Sequence, residues 1–272
     1  MKRRLTSTGR CSMESAMNRA AAILVLACLA AHPRGARAER SALAAMVDDA
    51  EEQARLLTPL RADVTAEIEG AKGKSQDRIV LVVRNDPAPK GGVQTYVEFE
   101  KAGVKVLVLG PAEAWISDGG KVRKAALDTQ IAGTNWTVED LLPFDVTRCG
   151  STRIVDSRPE QMTLACEAER KGPSQYVLTV YKMDREKAVP IQVLYYKESM
   201  NNLVKMQRAQ GYEKVGAKWR PSHVEMRDFK LRTKDVLDLR WEQDPKFPPE
   251  IFDPKSLSDR SLTAKAPAAA AR

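Results

Sequence analysis

The sequence predicts a mainly β chain with a helical lid, an α+β fold built on one curled antiparallel sheet of about eleven strands that forms an open half-barrel. Three observations carry this expectation. An amphipathic helix opens the folded part, a long series of short two-periodic segments follows, and one stretch, Leu127 to Phe144, breaks that series.

Ahead of the helix, basic residues crowd the start: Lys2, Arg3, Arg4, Arg10 and Arg19. An apolar run from Ala20 to Ala31 follows, then a short polar stretch and Ala36-Arg37-Ala38. Basic, apolar, then small-x-small is the order of a secretory signal, and the apolar run is short of the ~20 residues of a membrane span. Residues 1–38 are therefore expected to be a cleaved signal peptide and the mature chain to work in the periplasm. Val25-Leu26-Ala27-Cys28 offers a competing lipid-anchoring site, which the bulk of Leu26 and the downstream Ala-x-Ala make the weaker reading. Removing a segment with seven Lys/Arg and one acid from a chain of net charge +8 leaves +2. A near-balanced mature chain gives no reason to invoke nucleic acid.

The helix is read at Ser41–Thr58. Leu43, Met46, Val47, Ala50, Ala54 and Leu57 recur at helical steps, and Pro59 ends it. Alternation then begins at Val64, Ala66 and Ile68. Further strands are expected at Arg78–Arg84, Val93–Glu100, Val104–Val108, Glu113–Ser117 and Lys121–Ala125. After the break they resume at Glu160–Glu167 and Tyr176–Met183. Val189–Lys197 pairs with Asn202–Arg208, and Trp219–Arg227 with Arg232–Trp241. Within the break, Thr137 and Asp140 precede Leu141-Leu142, a helix-starting box closed by Pro143. Pro248-Pro249 bars the segment after Phe247 from a central strand. The domain is expected to span 39–257, and the alanine-rich 258–272 to be a disordered tail. A curled sheet needs cover for its apolar face, and the helix and the central insertion are the segments with apolar stripes to spare.

Candidate sites are few. Cys149 and Cys166 form an even pair in an exported chain, and a disulfide is the default. One histidine, His223, remains after residue 38, too few ligands for zinc. Neither a Gly-x-Ser-x-Gly elbow nor a P-loop occurs. No cofactor, no metal and no catalysis are expected. The aromatic and apolar residues Phe99, Trp115, Ile131, Trp136, Leu141, Leu142, Tyr181 and Tyr195 are the candidates to line a cavity and its lid, Trp136 foremost because it precedes the short helix.

Gly133-Thr134-Asn135-Trp136-Thr137-Val138-Glu139-Asp140-Leu141 resembles a segment of the periplasmic outer-membrane lipoprotein-sorting proteins (LolA-like). So do Pro190-Ile191-Gln192-Val193-Leu194-Tyr195-Tyr196 and Phe252-Asp253-Pro254-Lys255-Ser256-Leu257. The likeness covers about residues 60–257 and is to the longer, less characterised branch. It implies the same half-barrel, with a cavity for acyl chains, and a non-enzymatic carrier of lipoprotein or lipid acyl chains, partnered by an inner-membrane exporter and working as a monomer. The alternative is a periplasmic interaction or sensory module on the same scaffold. The family's carrier latches its lid with an arginine on the sheet, a role that matches neither Arg78 nor Arg84 nor any other arginine here.

Overall fold

The computed structural model describes residues 33–54, 56, 58–70, 73–86 and 92–263. The expected signal's basic and apolar segments, Cys28, Leu57 and residues 264–272 lie outside the described residues. The chain divides into two compact units, Met1–Ala45 and Met46–Arg272. The described part of the first is helical, the opening turns of α1 (Pro33–Ala54). The second holds the last turns of α1 and everything after it.

Those last turns are tied to the sheet. Met46 and Ala50 are buried. The backbone carbonyls at the end of a helix lack partners within it, and they attract cations. Lys218 donates to the Glu52 carbonyl and, at 2.6 Å, to its carboxylate, while the Arg220 guanidinium reaches the Gln53 carbonyl at 3.2 Å.

Thirteen strands make one antiparallel sheet rather than the expected eleven or so. They are β1 (Leu60–Gly70), β2 (Gly73–Asn85), β3 (Val93–Phe99), β4 (Val104–Gly110), β5 (Glu113–Asp118), β6 (Lys121–Lys124), β7 (Cys149–Ser157), β8 (Gln161–Ala168), β9 (Leu178–Asp184), β10 (Val189–Tyr196), β11 (Leu203–Val215), β12 (Lys218–Asp228) and β13 (Thr233–Gln243). The spatial order is β6-β5-β4-β3-β2-β1-β13-β12-β11-β10-β9-β8-β7. Two meanders are thus joined by the pairing of β1 with β13, where Val64 faces Leu239. The sheet is not closed into a barrel. Its edges, β6 and β7, are consecutive in the chain, so the connection between them crosses one face of the sheet.

The strand hidden from the sequence reading is β7. It is an edge strand, mostly exposed, and its burial follows no clean alternation. An edge facing solvent asks for little apolar patterning. The Cys149–Cys166 disulfide, across a separation of 17 residues, fastens it to β8.

Along β1 to β5 the two-residue period sorts side chains onto two faces. Val64, Ile68, Ile79, Val97, Phe99, Val106 and Ile116 belong to the inner core, with Ile131, Trp136 and Val138 of the insertion. Val80, Val82, Tyr96 and Leu107 point the other way and are covered by Ile251, Phe252 and Leu257. This outer cover was not anticipated. It explains the near-continuous apolar run Ile79–Val83 and the burial of β3 on both faces. It also corrects the start of the tail: Leu262 packs on the outer cluster, and Ser261, Leu262 and Thr263 bind Glu98, so the chain up to 263 is part of the outer cover.

Candidate functional site

The connection between the edges, residues 125–148, forms the inner cover. Its first half is a small hairpin closed by Gln130 opposite Thr137. Ile131 N–H donates to the Trp136 carbonyl at 3.0 Å, and Thr134 N–H to the Ile131 carbonyl at 2.8 Å. Gly133 makes the reversal at φ 72°, a conformation that costs glycine little. Ile131 and Val138 consequently point inward and are fully buried. The expected helix start follows: a 3-10 turn at Val138–Leu141, with the Asp140 carboxylate accepting from Thr137 N–H at 2.8 Å and Thr137 Oγ1 at 2.9 Å.

Two buried carboxylates hold this cover to the sheet. Asp140, on the insertion, accepts from Lys205 Nζ on β11 at 3.0 Å and from the Tyr176 hydroxyl at 2.7 Å. The Asp140 side chain is fully buried and Lys205 nearly so. Asp235, on β13 and fully buried, works in the other direction. It accepts from Asn135 N–H at 2.6 Å, Asn135 Nδ2 at 3.0 Å and Glu69 N–H at 3.2 Å. Burial pushes Asp235 up to about 6, against the pull of those donors and of Lys205. Burial likewise raises Glu139, although its carboxylate accepts from the Ser174 hydroxyl and Gln175 N–H. Neither Arg78 nor Arg84 takes part in these contacts: Arg78 pairs with Glu100, and Arg84 lies over the Phe252 ring on the outer face.

Beneath the insertion lies an apolar cavity of about 220 Å³. Phe99, Ile131, Trp136 and Leu141 of the candidates line it, with Leu239 and Trp241 from β13 and both latch carboxylates. A second cavity of about 280 Å³ lies toward β8–β10, where Leu142, Tyr181 and Tyr195 are found, with Tyr176 and Phe144. Asp140 and Gln207 border both, so the insertion divides the inner face into two compartments. Burial raises the Tyr176 and Tyr195 hydroxyls far above their ordinary range, and both are neutral walls. A further crevice of about 240 Å³ brings Ala50, Gln53 and Ala54 of α1 beside Leu141, Pro143 and Phe144.

Trp115 does not join them. It packs on the outer cluster, with its indole N–H on Glu113 and Lys124 over its ring. The reason is register: Ala114 and Ile116 take the inner positions of β5, and their neighbour must face away. His223 bonds Asp238 through Nδ1 at 2.7 Å, while the adjacent Ser222 hydroxyl donates to the Gly211 carbonyl, so the two are not aligned as nucleophile and base.

Lys205 and Asp235 were missed, though each left a trace. Lys205 shares an inward row with Gln207 and Ala209, and Asp235 with Leu237, Leu239 and Trp241. A charge on the apolar row of an alternating strand must have a buried partner.

A fold of this kind, an open antiparallel sheet with a short helical cover over one face, is shared with solved structures. A domain assigned to outer-membrane lipoprotein sorting from Vibrio parahaemolyticus superposes with TM-score 0.70 at 15% identity, over 78% of this chain and 97% of that one. A DUF1329 family protein from Desulfovibrio piger gives 0.69 at 14%, over 78% and 98%. A LolA superfamily protein from Nitrosomonas europaea gives 0.58 at 16%, over 76% and 96%. A family model described as "Uncharacterized protein" matches residues 96–259, more than half of the chain, and the chain belongs to that family. No curated protein sequence matches it.

Proposed function

We propose that the protein is an exported, non-enzymatic carrier that binds the acyl chains of a lipoprotein or lipid in the periplasm, working as a monomer beside an inner-membrane exporter. The observation that supports this best is the apolar cavity under a cover held by polar contacts. Each buried CH₂ contributes ~0.8 kcal/mol, so an acyl chain binds without directional chemistry. At about 220 Å³ the cavity is smaller than most small-molecule sites, and a chain enters it by displacing the insertion. The disulfide fits an oxidising compartment, and residues 1–38 supply the export signal in this reading. Residues 39–257 hold the carrier domain.

Organic extraction of protein purified from its native periplasm tests the reading. Acyl-bearing lipid in stoichiometric amount is expected. Trp136→Ala should weaken binding of a pyrene-labelled fatty-acid methyl ester more than it lowers thermal stability. A lipid-free protein that binds no such probe would transfer the scaffold to the interaction-module reading.

A further inference from the structure

Single exposed apolar side chains occur on most protein surfaces and need no explanation; a cluster of them does. Among the described residues the large ones are Val155, Met200, Phe229 and Leu231. Three of these gather at one end of the sheet. Phe229 and Leu231, 43% and 57% exposed, lie in the turn between β12 and β13. Met200, 49% exposed, lies in the turn between β10 and β11. Register sets the two turns at the same end: Lys205 pairs with Asp228, and Phe229 N–H donates to the Val204 carbonyl at 2.9 Å. The turns at the opposite end of these strands, at 185–188 and 216–217, carry none of the four.

The β12–β13 turn interleaves its apolar side chains with cations. Arg227 to Lys234 reads Arg-Asp-Phe-Lys-Leu-Arg-Thr-Lys, four basic residues against one acid. That acid is occupied within the turn: the Asp228 carboxylate accepts from Leu231 N–H at 2.8 Å. Glu225 takes Arg227 at 3.3 Å and Lys234 at 3.5 Å. Behind the tip, Lys74, Lys101 and Lys234 line one crevice with Glu67 and Glu69, and in the neighbouring turn Lys197 is followed by Glu198. The uncompensated charge is therefore that of Lys230 and Arg232, both exposed and neither in an ion pair among the described residues. Arg232 holds φ at 57°, left-handed backbone that suits glycine or asparagine, so a cation is kept there against the backbone preference.

This chemistry chooses among partners. Two side chains on a turn fall far short of the ~800 Å² that each partner contributes to a standard protein interface. A bilayer needs no complementary surface. A ring and an aliphatic chain enter its headgroup layer, while lysine and arginine stay level with anionic phosphates. We propose that the β12–β13 turn is a docking tip for an anionic phospholipid membrane, with Phe229 and Leu231 entering the headgroup layer and Lys230 and Arg232 held at its phosphates. Met200 adds an apolar contact from the nearby turn. The inference is independent of what the cavities bind, since the tip brings a carrier and an interaction module alike to a lipid surface.

The test expresses the full chain, purifies the protein as the cell processes it, and measures co-sedimentation with vesicles. Phosphatidylcholine with about one-third phosphatidylglycerol is compared with phosphatidylcholine alone. Binding to the mixed vesicles should be at least about tenfold stronger and should fall as salt is raised. Phe229→Ser with Leu231→Ser should lower it at least about tenfold. Lys230→Gln with Arg232→Gln should lower it about tenfold and remove most of the preference for phosphatidylglycerol. Val155→Ser, at the exposed apolar site away from this end, should change neither. Thermal melting should be the same for every variant, because each altered side chain is exposed. Phe229→Trp gives a second readout: the emission it adds to that of the unaltered protein should move to shorter wavelength with mixed vesicles and stay in place with phosphatidylcholine alone. Absence of vesicle binding, binding that survives both double substitutions, or an equal loss with Val155→Ser would overturn the proposal. Self-association that vanishes in the double serine variant, with no vesicle binding, would give the tip to a protein contact and overturn it too.

Discussion

Strands β2 to β5 carry a cover on each face, and the two covers are built from different chemistry. On the outer face, Ile251, Phe252 and Leu257 fill the space against Val80, Val82, Tyr96 and Leu107. On the inner face, the insertion leaves cavities and is fastened through Asp140–Lys205 and Asp235–Asn135. The difference decides which cover can move. Lifting the outer segment exposes mainly apolar surface, and the buried Glu98 carboxylate it would return to water loses the hydrogen bonds of Ser261, Leu262 and Thr263. Lifting the inner one returns buried charges to water, which offsets much of the attraction lost. In the carrier reading, the largely apolar contact marks the permanent side of the sheet, and the charged latch over a cavity marks the side proposed to open.

The sharpest way to break this comparison is to weaken the outer side alone. Phe252 is buried, stacks near Phe247 and lies under the Arg84 guanidinium at 3.9 Å from its ring centre. Phe252→Ala should lower unfolding free energy by about 5 kcal/mol, the upper end for such a truncation. Urea unfolding measures it. Affinity for the acyl-ester probe, taken on the folded fraction, should not change; a parallel loss would show that the two faces act as one.

Next in size is the latch. Lys205→Met leaves Asp140 buried with its Tyr176 and Thr137 donors but without a counter-charge, and should cost about 4 kcal/mol. Adding Asp140→Asn removes the stranded charge and should restore at least about half of that loss. A double variant no better than the single would mean that the lysine holds the insertion by packing rather than by charge.

The sequence reading reached the inner face more fully than the outer one, for a physical reason. Alternation in Val97, Phe99, Val104 and Val106 declares one apolar face, and Thr137 with Asp140 declares where the insertion turns. The break in strand period identified the cover, and the Gly133–Leu141 segment carried the family likeness. The outer face was illegible because Tyr96 and Leu107 alternate with the same residues, and only the distant 3-10 turns at Pro249–Phe252 and Pro254–Ser256 show what covers them. Trp115 was misassigned by the same ambiguity. Lys205 and Asp235 are brought to the insertion by strand register, which composition does not reveal.

Titration separates the two covers in opposite directions. On the outer face burial pushes Glu98 up, but hydrogen bonds from Ser261, Leu262, Tyr96 and Thr263 outweigh it and hold Glu98 below its ordinary value. Its contribution is present above the unfolded-state value and is lost as pH falls through the lower folded one. On the inner face Asp235 is raised from 3.8 to about 6 by burial. The folded state then holds a proton that the unfolded chain has released, so Asp235's contribution is complete below 3.8 and fades as pH rises through about 6. The full span is about 3 kcal/mol. Glu139, also raised by burial, acts in the same sense. Acidification from neutrality toward the lower end of that window should therefore tighten the insertion, and further acidification should loosen the C-terminal segment. Hydrogen-exchange protection factors of amides in 127–142 and in 250–262 read the two separately. Protection of the insertion should grow as pH falls toward 4–5 (about the upper carboxylate range), and Asp235→Asn should flatten most of that slope while leaving the outer segment's profile in place. An insertion whose protection follows the outer segment's pH dependence would show that both covers answer to the stability of the whole sheet and not to their own carboxylates.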